Sequence, residues 1–153
     1  MTESIYKVHI GDFFVEPRML NHLRITHGGA MIRECDSALG LLAEKYVNGR
    51  VLTVSIRDFS FKQRTHVGDR IDFEVTMIAT STHTMTFYVN VLMLGFGRQP
   101  VTVGEGVFVF IAVDENFNPS PVPALEVHSS DQEKFIRAVR KRYGLSLDDV
   151  AAA

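Results

Sequence analysis

Residues 21 to 38 read NHLRITHGGAMIRECDSA, and several groups within them could act on a carbonyl. The carboxylate of Asp36 can serve as a base or a nucleophile. Gly28 and Gly29 open a helix, where amide N–H groups lack an intrahelical partner and the helix dipole favours negative charge. With no Cβ in the way, such amides can hold an oxyanion. Asn21 and His27 precede the helix and could orient a water or a carbonyl. Each also has a plainer reading. Helical aspartates are mostly solvated, Gly-Gly pairs are mostly turns, and Asn and His commonly satisfy local backbone groups. If one site held these groups together, acyl transfer is the chemistry they would do.

The helix that carries them is expected from about Gly28 to Tyr46. Its apolar residues, from Met31, Ile32 and Cys35 to Leu41, Leu42 and Ala43, lie nearly all round, which predicts a buried helix. Asp36 shares a face with Gly29, Arg33, Gly40 and Ala43. Cys35 points about 100° away and reads as a small buried hydrophobe rather than a nucleophile. Downstream, RIDFEVTM (70–77) and TMTFYVNVLM (84–93) alternate apolar and polar residues as half-buried strands do. VGEGVFVFIAV (103–113) is apolar on both faces and belongs centrally in a sheet or against a partner. VLTVSIRDFSF (51–61) changes phase between Ile56 and Phe59, the mark of a bulge or bend.

Short polar or glycine-containing turns at 66–69, 80–83 and 95–100 make neighbouring strands antiparallel. A short fifth strand is expected at 6–10, and a second helix from about Ser130 to Tyr143. The basic residues of that helix, Lys134, Arg137, Arg140, Lys141 and Arg142, could cover a sheet edge, meet a nucleotide or be solvated, and solvation is the default. The sum is an α+β fold, a long antiparallel sheet wrapped around a central helix.

Bulk properties narrow the class. A chain of 153 residues, 46% hydrophobic, is about one domain with room for a real core. Its formal net charge of −2 argues against nucleic-acid or membrane-surface binding. No apolar run reaches membrane-spanning length, and the N-terminus lacks a signal-peptide pattern. The single cysteine suits a reducing cytoplasm. The histidines show no paired metal-ligand spacing, so neither a metal nor a redox cofactor is expected.

The pattern N-x5-HGG-x6-D, set by Asn21, His27-Gly28-Gly29 and Asp36, resembles the active-site segment of hotdog-fold acyl-CoA thioesterases. The likeness continues through VLTVSIRDFSFKQRTHVGD and VGEGVFVFIAVDENFNPSPVP, over roughly residues 5 to 123. It implies a hotdog domain at 1–123, with 124–153 a C-terminal helix and tail packed on or beside it. It implies hydrolysis of an acyl-CoA to free acid and CoA, with CoA entering only as part of the substrate. A homodimer, assembled further into a tetramer or hexamer, would carry its sites at the dimer interface. Asp36 would be the base or nucleophile, and Asn21 of the facing protomer would hold the attacking water. Gly28 would supply the oxyanion amide, with His27 and Gly29 shaping the thioester pocket.

Two departures stand out. Arg24 replaces a common glycine, and Ile25 stands where a related branch carries a catalytic Asn or Asp. A serine or threonine frequent on the first long strand would fall near Val54, between Thr53 and Ser55, which leaves that polar contact open. The phosphates of CoA call for basic contacts, for which Arg57, Lys62, Arg64 and His83 are candidates. The alternative is a non-catalytic acyl-CoA or lipid-binding protein of the same fold. Having both Asn21 and Asp36 favours the enzyme.

Overall fold

The computed structural model describes residues 4–147. Two short strands, β1 (Val8–His9) and β2 (Phe13–Phe14), and a 3-10 turn at Pro17–Met19 precede the long helix α1 (Gly28–Val47). Four long strands follow: β3 (Arg50–Phe61), β4 (Arg70–Thr80), β5 (Thr84–Leu94) and β6 (Val101–Val113). A second helix, α2 (Ser130–Arg142), comes last. The sheet order is β1-β4-β5-β6-β3, with β2 also on β4, and every pairing is antiparallel. β6 is therefore internal, as its two apolar faces require, and β3 is an edge.

The alternation in β4 and β5 sends Ile71, Phe73, Val75, Met77, Phe87 and Val89 to the face that α1 covers. From α1, Met31, Cys35, Leu39 and Ala43 meet them, one residue per turn along a single stripe. Asn48, in the left-handed conformation with φ 52°, ends the helix. The expectation of a helix buried all round needs correcting. Leu41 is 70% exposed and Arg33 and Ser37 are also exposed, because only the stripe at four-residue spacing meets the sheet.

The other face of the sheet is covered by α2, whose Ile136, Val139 and Tyr143 pack with Ile78, Tyr88, Val107 and Val127. The solvated reading of its basic residues is overturned at two positions. Arg140 is buried, and Arg142 donates from Nη1 to Glu105 Oε1 at 2.8 Å. The cause lies in β6: Glu105 is buried on this outer face and a buried carboxylate needs charged or hydrogen-bonding partners. Tyr143 donates its hydroxyl to the same oxygen at 2.9 Å, and Lys62 Nζ lies 3.5 Å from Oε2. Burial alone would raise the Glu105 pKa, but the Tyr143 hydroxyl, Arg142 and Lys62 outweigh it and hold the carboxyl below its ordinary range. Residues 148–153 of the expected C-terminal tail lie outside the described residues.

The phase change in β3 is a bulge. Its register against β6 slips between Arg57 and Ser60, with Asp58 at φ 49°. A further shift lies between Thr53 and Ser55. After the slip, Phe59 packs on the α1 side, over Gly104 and Gly106. A Cβ on Gly106 would stand 2.5 Å from the Phe59 ring, so glycine there is a steric requirement. No helix among the described residues is long and apolar enough to cross a membrane.

Candidate active site

The start of α1 is built by hydrogen bonds on both sides of the glycine pair. Thr26 N–H donates to the Thr65 carbonyl at 2.8 Å, and His27 N–H to the Met19 carbonyl at 2.7 Å. His27 is the N-cap, and its ring Nδ1 accepts the Gly29 N–H at 3.0 Å. That bond makes the neutral ring carry its proton on Nε2. It also removes the Gly29 amide from the pool of oxyanion donors. The Gly28 N–H bonds to nothing among the described residues. Of the glycine pair, it is the amide that remains.

Asn21 does local work with one end of its side chain only. Its Oδ1 accepts from Leu23 N–H at 2.9 Å and Ile25 N–H at 3.4 Å, closing a loop in which Arg24 takes φ 62°. Two donors on that atom define the amide's orientation. The NH2 group has no partner among the described residues, so it remains a donor. The capping reading of Asn21 and its functional reading are thus compatible.

Asp36 sits half-buried in the third turn of α1, and its Oδ1 accepts the Thr53 hydroxyl at 2.7 Å. Thr53 is therefore the polar contact that was left open around Val54. It reaches α1 because it shares a strand face with Val51, which packs on the α1 core. That alternation in VLTV was the available signal. The neighbouring Cys35 is fully buried, and burial, then the Asp36 charge, pushes its thiol well above the ordinary range. It stays a protonated hydrophobe, as read from its helical angle.

Gly28 lines a cavity of about 350 Å³ whose apolar walls are Met31, Phe59, Phe61, Val91 and Val103. Lys62, Arg64 and Thr65 provide its polar side. Phe61 lies against the helix start, where a Cβ on Gly28 would come within 3.0 Å of the ring. Asp36 is not in this wall. It follows Gly28 by eight residues, roughly 12 Å along the helix axis.

The other expected contacts separate likewise. Arg64 faces the cavity, whereas Arg57 lies in β3 with its Nε 3.3 Å from Asp58 Oδ2. His83 is in the β4–β5 turn, where its Nδ1 bonds the Ser120 carbonyl at 2.9 Å. Its own carbonyl accepts the Ala112 N–H, eight strand residues and roughly 26 Å from Gly104. That position ties the hairpin to the 112–122 segment and does not reach the cavity.

A model of the thioesterase superfamily matches residues 23–93, which include Gly28, Asp36 and Thr53. The acyl-CoA thioester hydrolase YciA of Salmonella typhimurium is 25% identical over 100 residues, covering 63% of this chain and 75% of that one. An apo-hexameric acyl-CoA thioesterase superposes with a TM-score of 0.80 at 27% identity, covering 92% of this chain and 91% of the other. An acyl-CoA hydrolase from Staphylococcus aureus, solved with butyryl-CoA and CoA, gives a TM-score of 0.79 at 20% identity, over 88% and 82% of the two chains. That hydrolase has also been solved with alanine replacing one asparagine, one aspartate or one threonine. The three positions are 15 and 17 residues apart, as are Asn21, Asp36 and Thr53. Residues 23–93 are thus similar to the thioesterase superfamily, and the chain has the hotdog fold of these thioesterases.

Proposed function

We propose that this protein hydrolyses acyl-CoA thioesters in a site completed by a second copy of the chain. The observation that carries the reading is the separation along α1. Gly28 lines one half-site, to which we assign Asn21, and Asp36 with Thr53 forms another roughly 12 Å away. An aspartate side chain cannot span that distance to a carbonyl held at Gly28. A two-fold partner can close it.

The edge strand offers the means. β3 exposes Leu52, Val54 and Ile56 along twelve residues whose outer edge has no partner strand among the described residues. Antiparallel pairing of two such edges centred near Arg57 sets Thr53 of one copy beside Phe61 of the other. Thr53 holds Asp36, and Phe61 lies against Gly28, so the two half-sites meet twice per dimer. The apo-hexameric relative supports further assembly of such dimers.

In this site the thioester carbonyl accepts the Gly28 N–H, and the Asn21 NH2 group donates to a water above the carbonyl carbon. Asp36 of the partner takes a proton from that water as its oxygen attacks. The tetrahedral oxyanion gains most from the helix-terminal amide, whose dipole is already oriented. Collapse breaks the C–S bond, and the proton on Asp36 passes to the leaving sulfur, giving free acid and CoA thiol. Arg64 and Lys62 are placed to meet phosphates. The reaction draws only on side chains, one amide and water, and the cytoplasm is the compartment we assign to it.

Thiol release from a panel of short, long and aromatic acyl-CoAs tests the reading. Wild type is expected to turn over, and Asp36→Ala to lose about a thousandfold or more in kcat, within the range of general-base catalysis. Tight binding of acyl-CoAs with no turnover on any of them would make the protein the non-catalytic binder instead.

A further inference from the structure

We infer that Phe59 is the end wall of the acyl pocket and limits this enzyme to short and medium acyl chains. The inference rests on the thioesterase reading and names the substrate class of that site. The cavity is lined by Gly28, whose amide is unpaired among the described residues, by Met31 of α1 and by Val91, Val103 and Gly104 of the sheet. Phe59 is part of that lining. On the same inner face of β6, Gly106 and Phe108 continue the apolar surface but lie behind the ring and outside the cavity.

The ring is held there. A Cβ at Gly104 would stand 3.6 Å from it and one at Gly106 2.5 Å. Phe108 meets it edge-on with centroids 6.0 Å apart, and Phe61 tilts against it at 5.1 Å. The two glycines provide the slot, and the Asp58 bulge turns Phe59 into it. A side chain fixed by backbone geometry on two strands is a wall, and the space it closes, about 350 Å³, is at the small end of small-molecule sites. With the carbonyl at Gly28, an acyl chain directed into the apolar half meets the Phe59 ring. Removing the ring would open a path along Gly106 toward Phe108, into which further methylenes could extend.

The test compares kcat/KM for butanoyl-, octanoyl-, dodecanoyl- and palmitoyl-CoA in wild type, Phe59→Leu and Phe59→Ala. Phe59→Leu keeps most of the packing should Phe59→Ala fail to fold. Wild type should fall off steeply beyond octanoyl. The variants should raise the dodecanoyl-to-octanoyl ratio at least about tenfold, the discrimination a pocket wall gives against a longer chain. Equal loss on all four substrates, or an unchanged ratio in a folded variant, would overturn the wall assignment alone. No turnover by wild type on any chain would overturn the thioesterase reading and this inference with it.

Discussion

Thr53 shows how a single hydroxyl can tie the two halves of the chain's chemistry to its scaffold. Its hydrogen bond leaves one Asp36 oxygen committed and the other available to a water proton. It also holds the carboxylate at the β3 edge, the side on which the proposed dimer sets the partner's helix start. Thr53→Val keeps the shape and deletes the donor. A hydrogen bond to a charged group contributes roughly 1.5–3 kcal/mol, so kcat should fall about tenfold to a hundredfold while KM changes little. Thr53→Ser should restore most of the rate. Steady-state kinetics on all three proteins decides the matter, and a drop confined to KM would move Thr53 from positioning the base to binding substrate. At this scale the sequence singled out Asn21, Gly28 and Asp36 as candidates, where a residue type and a spacing coincide. It was not legible at Gly29, whose amide is taken by the His27 ring, because tautomer and ring orientation leave no trace in residue order. His83 had a suitable type but stands at the wrong end of a strand, and only topology could say so.

At the scale of elements, α1 and the four long strands followed directly from period and punctuation, and the bulge from the broken alternation around Asp58. The role of α2 did not follow. Its five basic residues looked like a solvated face because the group that claims one of them, Glu105, is 37 residues distant in the chain. Within GEG, the glycines admit Phe59 on one face while the glutamate between them points to the other, toward α2. Glu105 thereby clamps α2 to the sheet through Arg142 and Tyr143 and also engages Lys62 beside the cavity. Glu105→Gln should cost roughly 1–3 kcal/mol at neutral pH, since charged hydrogen bonds are lost and their donors are left poorly paired. Urea unfolding measures it. The sign of the pH dependence follows from the direction of the shift. A carboxyl held below its ordinary 4.5 contributes stability above that value and loses it as the pH falls through the folded-state value. The difference between wild type and Glu105→Gln should therefore be full at neutral pH and close only in acid below the ordinary carboxylate range. A difference independent of pH would assign the effect to packing.

For the whole molecule, the separation between Gly28 and Asp36 makes a prediction that no single-site variant can. If each site takes Asn21 and Gly28 from one protomer and Asp36 from the other, two inactive proteins can repair each other. Asp36→Ala dimers lack the base in both sites, and Asn21→Ala dimers lack the water donor in both. After subunits are exchanged, a mixed dimer contains one site built from the intact Asn21 of the first protein and the intact Asp36 of the second. Its other site lacks both groups. Random exchange at equal concentration makes about half the dimers mixed, each with one working site of two, so activity should rise to about a quarter of wild type. A site contained within one chain gives a different number, because mixing could then do no more than average the two parents. The experiment needs only thiol-release rates before and after subunit exchange, with a self-mixed sample of each parent as the control. Recovery above the parental mean would assign Asp36 and Asn21 to opposite protomers. A rate pinned at that mean in dimers shown to have exchanged would return both groups to one chain, which the roughly 12 Å along α1 could then accommodate only by movement of the helix start.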